Sequence, residues 1–333
     1  MPVNAQYRLA ARPSGLPKDD DWQYTEDAVP SPGDGRFLVE VQYLSLDPAM
    51  RTWMNPGRSY VPPVGIGEVM RAAGIGTVVE SNHAGFKPGQ SVFGTFGVQN
   101  FAVSDGQGVQ VVDTSLAPAP TFLGTLGISG ITAYFGLFDV GRPEPGQTVV
   151  VSAAAGSVGI VTGQLAKIHG CRVVGIAGGP DKCRTLVEEY GFDAAVDHRA
   201  GNLRADLKEH APDGIDVFFD NVGGAVLEAA LARLARGARI VLSGAVSQYN
   251  STEGPRGPAN YMQLLVQRAS MTGFVFSDYA DRYPEAIEAL AGWVREGKLK
   301  TREDVVTGGI SKFPETLLKL FRGENTGKLV LAL

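Results

Sequence analysis

Thr148-Val149-Val150-Val151-Ser152-Ala153-Ala154-Ala155-Gly156-Ser157-Val158-Gly159 is the stretch whose reading decides the fold. Thr148 to Ser152 is a short, β-branched apolar run, as a buried parallel strand requires. The following segment, Ile160 to His169, carries Ile160, Gln164, Leu165 and Ile168 at helical spacing. Strand, glycine turn and helix therefore come in the order of a dinucleotide-binding turn whose first glycine is replaced by alanine. In such a turn Gly156 lets a pyrophosphate approach the backbone and Gly159 lets the helix pack closely on the sheet. The N–H groups around Ala155, Ser157 and Val158, at the helix start, attract phosphate charge. The competing reading is a structural strand-to-helix turn with no ligand.

Working outward, short apolar runs alternate with amphipathic ones from Thr148 onward. Strands are predicted over 148–152, 171–177, 193–197, 215–220, 238–243 and 271–276, and helices near 157–169, 180–190, 201–210, 223–236, 258–268 and 279–297. This alternation predicts an α/β fold, a Rossmann doubly wound parallel sheet. Residues 30–120 differ, with β-rich runs at 36–46, 74–80, 91–96, 101–103 and 109–112 between glycine and proline turns. That spacing predicts a compact, mostly β module partly closed on itself. Between Pro120 and Gly141, Leu126, Ile131, Ala133, Tyr134, Leu137 and Phe138 outline a buried helical face. Past Lys298 short apolar segments return, and the terminal run 328–333 is expected to rejoin the β module, making it discontinuous.

Composition limits the partners. With 333 residues, 44% hydrophobic and 20% charged, the chain has enough material for a sizeable core and about two domains. A formal net charge of −5 without a dominant lysine and arginine cluster argues against a nucleic-acid surface. A small-molecule partner is expected instead. Neither a signal core nor an apolar run of membrane-spanning length is present, so no membrane partner is expected and the expected location is cytoplasmic. Cys171 and Cys183 do not make a disulfide framework in a chain this long, and the four histidines show no closely spaced ligand pattern. No metal site is expected.

A turn that holds NAD is usually followed, about twenty residues on, by an acidic residue for the adenosine ribose hydroxyls. Here the second strand ends in Ile176-Ala177-Gly178-Gly179-Pro180, with no carboxylate. Small residues such as Gly178 leave space for a 2′-phosphate, and Lys182 is placed to meet it as a point charge. Arg199, at the end of the third strand, is a second candidate. NADP(H) is therefore the expected cofactor. Asp181 is read as capping the helix that begins near Pro180 and facing solvent.

Several motifs in order carry a family resemblance. They are Leu46-Asp47-Pro48-x-Met50-Arg51, Leu126-Gly127-x-x-Gly130-x-Thr132-Ala133-Tyr134, Ala153-Ala154-Ala155-Gly156-x-Val158-Gly159, Asp220-Asn221-Val222-Gly223-Gly224, Gly244-Ala245-x-Ser247-x-Tyr249-Asn250 and Asn325-x-Gly327-Lys328. Together they resemble the zinc-independent medium-chain dehydrogenases/reductases, in the branch with prostaglandin reductase, plant alkenal double-bond reductases and bacterial curcumin reductase. The resemblance implies a GroES-like substrate domain, residues 1–123 and 308–333, and an NADP-binding Rossmann domain, residues 124–307, usually as a homodimer. It implies NADPH-dependent reduction of the C=C bond of α,β-unsaturated ketones and aldehydes, so the expected partner is an enone or alkenal. By position it assigns the 2′-phosphate to Lys182, cofactor contacts to Asn221 and Asn325, and the nicotinamide backbone to Gly273-Phe274-Val275-Phe276. Tyr249 matches the tyrosine that flanks substrate and nicotinamide ribose. Relatives often read Asn-Tyr-Lys where this chain has Asp197-His198-Arg199, so His198 takes the tyrosine's place at the cofactor phosphate and Arg199 still supplies a cation.

The chemistry points to the same residues. Hydride delivery to the β-carbon of an enone leaves an enolate oxygen that needs a hydrogen-bond donor, then a proton for the α-carbon. Tyr249 lies in a glycine- and serine-rich loop after the fifth strand, where open α/β sheets place ligands. Tyr60, in Arg58-Ser59-Tyr60-Val61-Pro62-Pro63, is a second aromatic donor, the alternative being a packing tyrosine. Met50 and Arg51 are candidate pocket residues, against the alternative that Met50 packs and Arg51 pairs with a carboxylate. Asn221 ends a strand as a polar side chain in need of partners, which a cofactor would supply. An NADPH:quinone reductase and a non-catalytic NADP-binding protein remain the rival functions.

Overall fold

A computed structural model of the chain describes residues 2–333, which divide into two compact units. One runs from the N-terminus to Leu123 and adds Glu303–Leu333; the other is Gly124–Arg302.

The first unit begins with β1 (Val3–Leu9) and β2 (Trp22–Ala28), paired antiparallel. β1 hides polar residues that the sequence pattern does not flag. Asn4 and Gln6 are buried and both donate to Gln99 Oε1, at 3.2 and 2.8 Å, while Asn4 Oδ1 accepts from Phe101 N at 2.8 Å. There follow β3 (Phe37–Ser45), α1 (Ala49–Trp53), β4 (Ala73–Ser81), β5 (Ser91–Thr95), β6 (Phe101–Ser104) and β7 (Gln110–Val111).

The second unit carries α2 (Ile128–Phe135), β8 (Thr148–Val151), α3 (Ser157–Ile168), β9 (Arg172–Ala177), α4 (Pro180–Glu188), β10 (Ala194–Asp197) and α5 (Leu203–His210). It continues through β11 (Ile215–Asp220), α6 (Gly224–Leu231), β12 (Leu234–Leu242), α7 (Gln263–Gln267), β13 (Ser270–Gly273) and α8 (Tyr283–Arg295). Its strands form one all-parallel sheet in the order β10-β9-β8-β11-β12-β13. The chain thus winds outward in one direction from β8 and in the other from β11, which is the Rossmann topology. Val149, Val150 and Val151 are fully buried, the reason β8 reads as continuously apolar rather than alternating. The crevice where the strand order reverses, at the carboxyl ends of β8 and β11, is where such sheets bind ligands.

The chain then returns to the first unit with β14 (Glu303–Val306), α9 (Phe313–Arg322) and β15 (Lys328–Ala332). β15 pairs antiparallel with β3 and parallel with β14. That pairing draws Glu303–Val306, which the sequence reading assigned to the second domain, into the first. Lys328 is buried, and its Nζ donates to Asp47 Oδ1 and to Leu46 O at 3.3 Å, which ties β15 to the loop after β3.

Several element ends differ from the sequence-based expectation. The helix expected over 223–236 stops at Leu231, because β12 already starts at Leu234 and takes a bulge with Gly237 at φ 76°. The helix expected over 258–268 shortens to α7, and the strand expected over 271–276 ends at Gly273. α9 is a full helix where short apolar segments were expected.

The decisive packing constraint lies at the start of α3. A Cβ on Gly159 would stand 2.3 Å from Ala153 O and 2.7 Å from Ala154 Cα, so only glycine lets the helix approach the turn this closely. Gly159→Ala is expected to destabilise the protein by about 1–3 kcal/mol, the range for overpacking a close contact, and to weaken cofactor binding. Denaturant unfolding with and without NADPH checks this, and an unchanged midpoint would contradict the close-packing account.

Candidate active site

In the turn, Ala153 sits at φ 46°, in the left-handed region that glycine enters freely. An alanine there carries a strain of about 1–2 kcal/mol. The strained residue is held by the turn around it: Ala154 N donates to Ile176 O at 2.9 Å, and Gly156 N donates to Ala153 O at 2.9 Å. Gly156 caps α3, and the helix ladder starts with Ile160 N donating to Gly156 O at 2.9 Å. The amides of Ser157, Val158 and Gly159 precede that first bond and have no intrahelical carbonyl to meet. Ala155 is buried, whereas Gly156, Ser157 and Val158 are half-buried. The turn thus has the strand, glycine turn and helix geometry that the sequence predicts.

The residues expected to meet the adenosine 2′-phosphate lie beyond β9. Gly178 is glycine for lack of space: a Cβ there would stand 2.9 Å from Arg199 Nε and 3.0 Å from His198 Nε2. His198 and Arg199 therefore pack together over Gly178 and form one cationic corner at the end of β9. Asp197, which the sequence reading passed over, organises it. Its Oδ1 accepts from Gly179 N at 2.8 Å and from Arg199 N at 2.9 Å, stapling the β9–α4 turn to the turn after β10. Those two amides, Gly179 first, hold the Asp197 carboxyl below its ordinary range. Partial burial, then Arg199 and Lys182, push the His198 imidazole below the ordinary histidine range, while Asp197 opposes. Lys182, on the first turn of α4, is thus close enough to His198 to disfavour its charge. Asp181 does not cap α4. Gly179 occupies the cap position, and the Asp181 carboxylate pairs with Arg184 at 2.6 Å.

At the switch point, Asp220 is fully buried at the end of β11. Its carboxylate accepts from Ser152 Oγ at 2.8 Å, Val222 N at 3.0 Å and Gly223 N at 3.0 Å. Burial pushes this carboxyl above the usual range, with those donors opposing. Asn221 finds its partner inside the protein: its Nδ2 donates to Ser152 O at 2.8 Å, and its backbone N donates to Ser152 Oγ at 2.8 Å. The strand ends of β8 and β11 are thereby locked together.

Tyr249 arrives on the loop after β12, and its hydroxyl accepts from Ala245 N at 3.1 Å. A Cβ on Gly244 would lie 3.2 Å from both the Tyr249 hydroxyl and Asn221 O, so Gly244 lets Tyr249 and Asn221 close on one spot. Asn250, quoted in the motif with Tyr249 but given no role there, buries an Oδ1 that has no hydrogen-bond partner among the described residues. Phe274, Val275 and Phe276 follow the edge strand β13. Phe274 lies edge-to-face with Phe219 at 6.5 Å, in space that Gly136 leaves vacant, and Val275 N donates to Asp278 Oδ2 at 3.4 Å.

The first unit corrects one expectation. Met50 is fully buried in its apolar core, and Arg51 is 3% exposed, donating to Gly15 O, Pro13 O and Asn55 Oδ1. Both side chains are spent on packing and on tying α1 to the Pro13–Gly15 backbone rather than on a pocket; Arg51 donates to neutral oxygens, and the Asp21 carboxylate nearby favours its charge. Tyr60 is 53% exposed, and its hydroxyl accepts from Trp53 Nε1 at 3.2 Å. Asn325 donates to Gly327 O at 3.0 Å, consistent with a turn. A surface cleft in this unit is lined by Glu68, Arg71, Thr95 and Gln99 among others, and not by Tyr60. Among the described residues no three His, Cys, Asp or Glu side chains are grouped to hold a metal ion.

These features fit a dinucleotide with a 2′-phosphate: a glycine cradle at a helix start, a recess bordered by cations at the acid-free end of β9, and an orphaned acceptor beside Tyr249. Comparison with known proteins agrees. Residues 5–112 match a family model described as the N-terminal domain of oxidoreductase, and residues 157–292 one described as zinc-binding dehydrogenase. The chain is 42% identical to the NADPH-dependent curcumin reductase of Escherichia coli, covering 98% of this chain and 96% of that protein. It is 36% identical to the NADP(+)-dependent 2-alkenal reductase of Nicotiana tabacum, covering 98% and 97%. The crystal structure of CurA from Vibrio vulnificus in complex with NADPH has the same fold, with a TM-score of 0.93, 41% identity and 98% coverage of both chains. The chain belongs to the zinc-independent medium-chain dehydrogenase/reductase family, in the branch of the alkenal and curcumin reductases.

The recess yields a direct test. Lys182→Ala is expected to weaken NADPH binding about tenfold to hundredfold, the value of a charged hydrogen bond, and to leave NADH binding nearly unchanged. Fluorescence titration of both cofactors checks it; an unchanged ratio of affinities would contradict the 2′-phosphate role.

Proposed function

We propose that the protein catalyses NADPH-dependent reduction of the C=C bond of α,β-unsaturated ketones and aldehydes. The observation that carries this reading is the conjunction, in one Rossmann unit, of a phosphate cradle, a cationic recess at an acid-free strand end, and the Tyr249 hydroxyl at the switch-point loops. The relatives named as curcumin and 2-alkenal reductases support the same reaction class.

Bound NADPH supplies the hydride that reduces the β-carbon. The chain's task is to hold the two partners and to stabilise the charge that develops on the carbonyl oxygen. Ala155 to Gly159 bind the pyrophosphate; Gly178, Lys182, His198 and Arg199 form the adenosine 2′-phosphate recess. Asn221, Asn325 and the backbone of Phe274, Val275 and Phe276 are proposed to hold the nicotinamide half. Tyr249 is proposed to donate a hydrogen bond toward the enolate oxygen. An oxygen that already accepts from a backbone amide, here Ala245 N–H, is polarised into a better donor of its own proton. Tyr60, whose oxygen likewise accepts from Trp53, is the proposed second donor. Protonation of the α-carbon then completes a saturated carbonyl product.

A homodimer built on the sheet edge belongs to the same proposal. β13 ends the sheet with Ser270, Thr272 and Gly273 exposed, and the adjoining segment exposes Tyr261, Met262, Leu265 and Val266, the last two at 70% and 53%. A second copy pairing strand to strand would cover this edge. The expected compartment is the reducing cytoplasm. It suits two free cysteines, of which Cys171 is buried with its thiol pushed up to about 11.

The reaction is tested by incubating enzyme and NADPH with enones, 2-alkenals, quinones and saturated ketones and identifying the products. Saturated ketone from an enone is expected, and consumption of quinones alone would replace this reading with a quinone reductase. NADPH binding with no turnover of any electrophile would instead favour a non-catalytic binding protein. Tyr249→Phe is expected to lower kcat about 10²-fold, the cost of losing an oxyanion donor, with little change in NADPH affinity; equal turnover would remove Tyr249 from the mechanism.

A further inference from the structure

We propose that His198 takes up a proton when NADPH binds, so that Lys182, His198 and Arg199 meet the 2′-phosphate as three cations and discrimination against NADH weakens as pH rises. The inference rests on the NADPH reading of the recess and adds to it a titrating specificity residue.

The geometry gathers His198 and Arg199 over Gly178, at the end of β9. His198 Nε2 and Arg199 Nε stand 3.0 and 2.9 Å from the point a Gly178 Cβ would occupy, so both side chains pack over Gly178 and stand close to each other. His198 is also pinned by its backbone, with its N–H donating to Ala177 O at 3.0 Å. The charged groups around the imidazole come from two elements. From the turn after β10 come Arg199 and Asp197, the latter already engaged by the Gly179 and Arg199 amides. From α4 comes Lys182, while Asp181 and Arg184 on the same helix pair with each other at 85% and 59% side-chain exposure. Cys183, also on α4, is held neutral, since burial pushes its thiol up.

In this surrounding a proton on His198 is disfavoured: lost hydration, then Arg199 and Lys182, outweigh the one carboxylate. A bound 2′-phosphate brings nearly two negative charges into the same recess. The field at the imidazole then changes sign and protonation becomes favourable. The linkage has one direction. The occupied site binds more protons than the empty one, so affinity rises as pH falls between the two His198 pKa values, and flattens above both. NADH places uncharged ribose hydroxyls there and gains no proton.

The test is calorimetric titration of the full-length protein with NADPH and with NADH, at pH 7.0 to 8.5, in non-phosphate buffers of differing ionisation enthalpy. This range keeps the 2′-phosphate itself, with its second pKa of about 6, in the dianionic form. Expected are net proton uptake with NADPH, none with NADH, and an NADPH Kd that weakens with pH by up to about tenfold per unit for one coupled proton. In His198→Tyr and His198→Gln the uptake and the pH slope vanish while NADPH still binds. Absence of uptake in the wild type, or its persistence in both variants, overturns the proposal. Equal affinity for NADPH and NADH at every pH would instead sink the cofactor reading on which it rests.

Discussion

The approach of α3 to the end of β8 admits no side-chain carbon. Gly159 lies against the Ala153 carbonyl at a distance that a Cβ would violate, and the turn between them is closed by Gly156 N–H on the same carbonyl. That one oxygen therefore fixes both the width of the turn and the seat of the helix. Ala153 accepts a left-handed backbone as the consequence. Because the turn cannot relax, the first amides of α3 are preorganised toward the site rather than folded in by a ligand. The neighbouring strand end is fixed in the same way: Ser152 bonds Asp220 through its hydroxyl and Asn221 through its carbonyl, so β8 and β11 part at one defined point.

Local electrostatics then decides which dinucleotide fits. The chain is net negative, so a recess where Lys182 and Arg199 act together with His198 is a local reversal of the overall charge. Asp197 makes that reversal rigid without neutralising it: its carboxylate is occupied by the backbone amides that shape the two turns. A carboxylate at the end of β9 would instead serve ribose hydroxyls and repel a phosphate. On the proposed reading, cofactor choice is set by which turn holds the acid and which holds the cations.

The Rossmann sheet was legible because its strands are buried on both faces and read as apolar runs bounded by glycine. The glycine turn was legible because the close approach of α3 to the Ala153 carbonyl demands glycine at position 159. Other parts were hidden for physical reasons. β1 buries Asn4 and Gln6 on a hydrogen-bonded network with Gln99, so its polar residues point inward and mislead a hydropathy pattern. α9 carries signals that a closer reading would find, with Pro314 in its first turn and Gly323 at its left-handed end. Arg51 and Asn221 show the limit for single residues. Both are polar groups in need of partners, yet the partners are backbone carbonyls of distant segments that no local spacing announces. Asp197 was missed for the same reason, since its work is done on amides of another turn.

The central claim is that hydride passes to the β-carbon of an enone whose oxygen is held by the Tyr249 loop. Its most direct test is single turnover with NADPH carrying deuterium at the transferable C4 position and an α,β-unsaturated ketone, with the product read by NMR. The account predicts a saturated ketone with one deuterium at the β-carbon and solvent hydrogen at the α-carbon. Deuterium on the carbonyl carbon, as an allylic alcohol, or its absence from the product would contradict it.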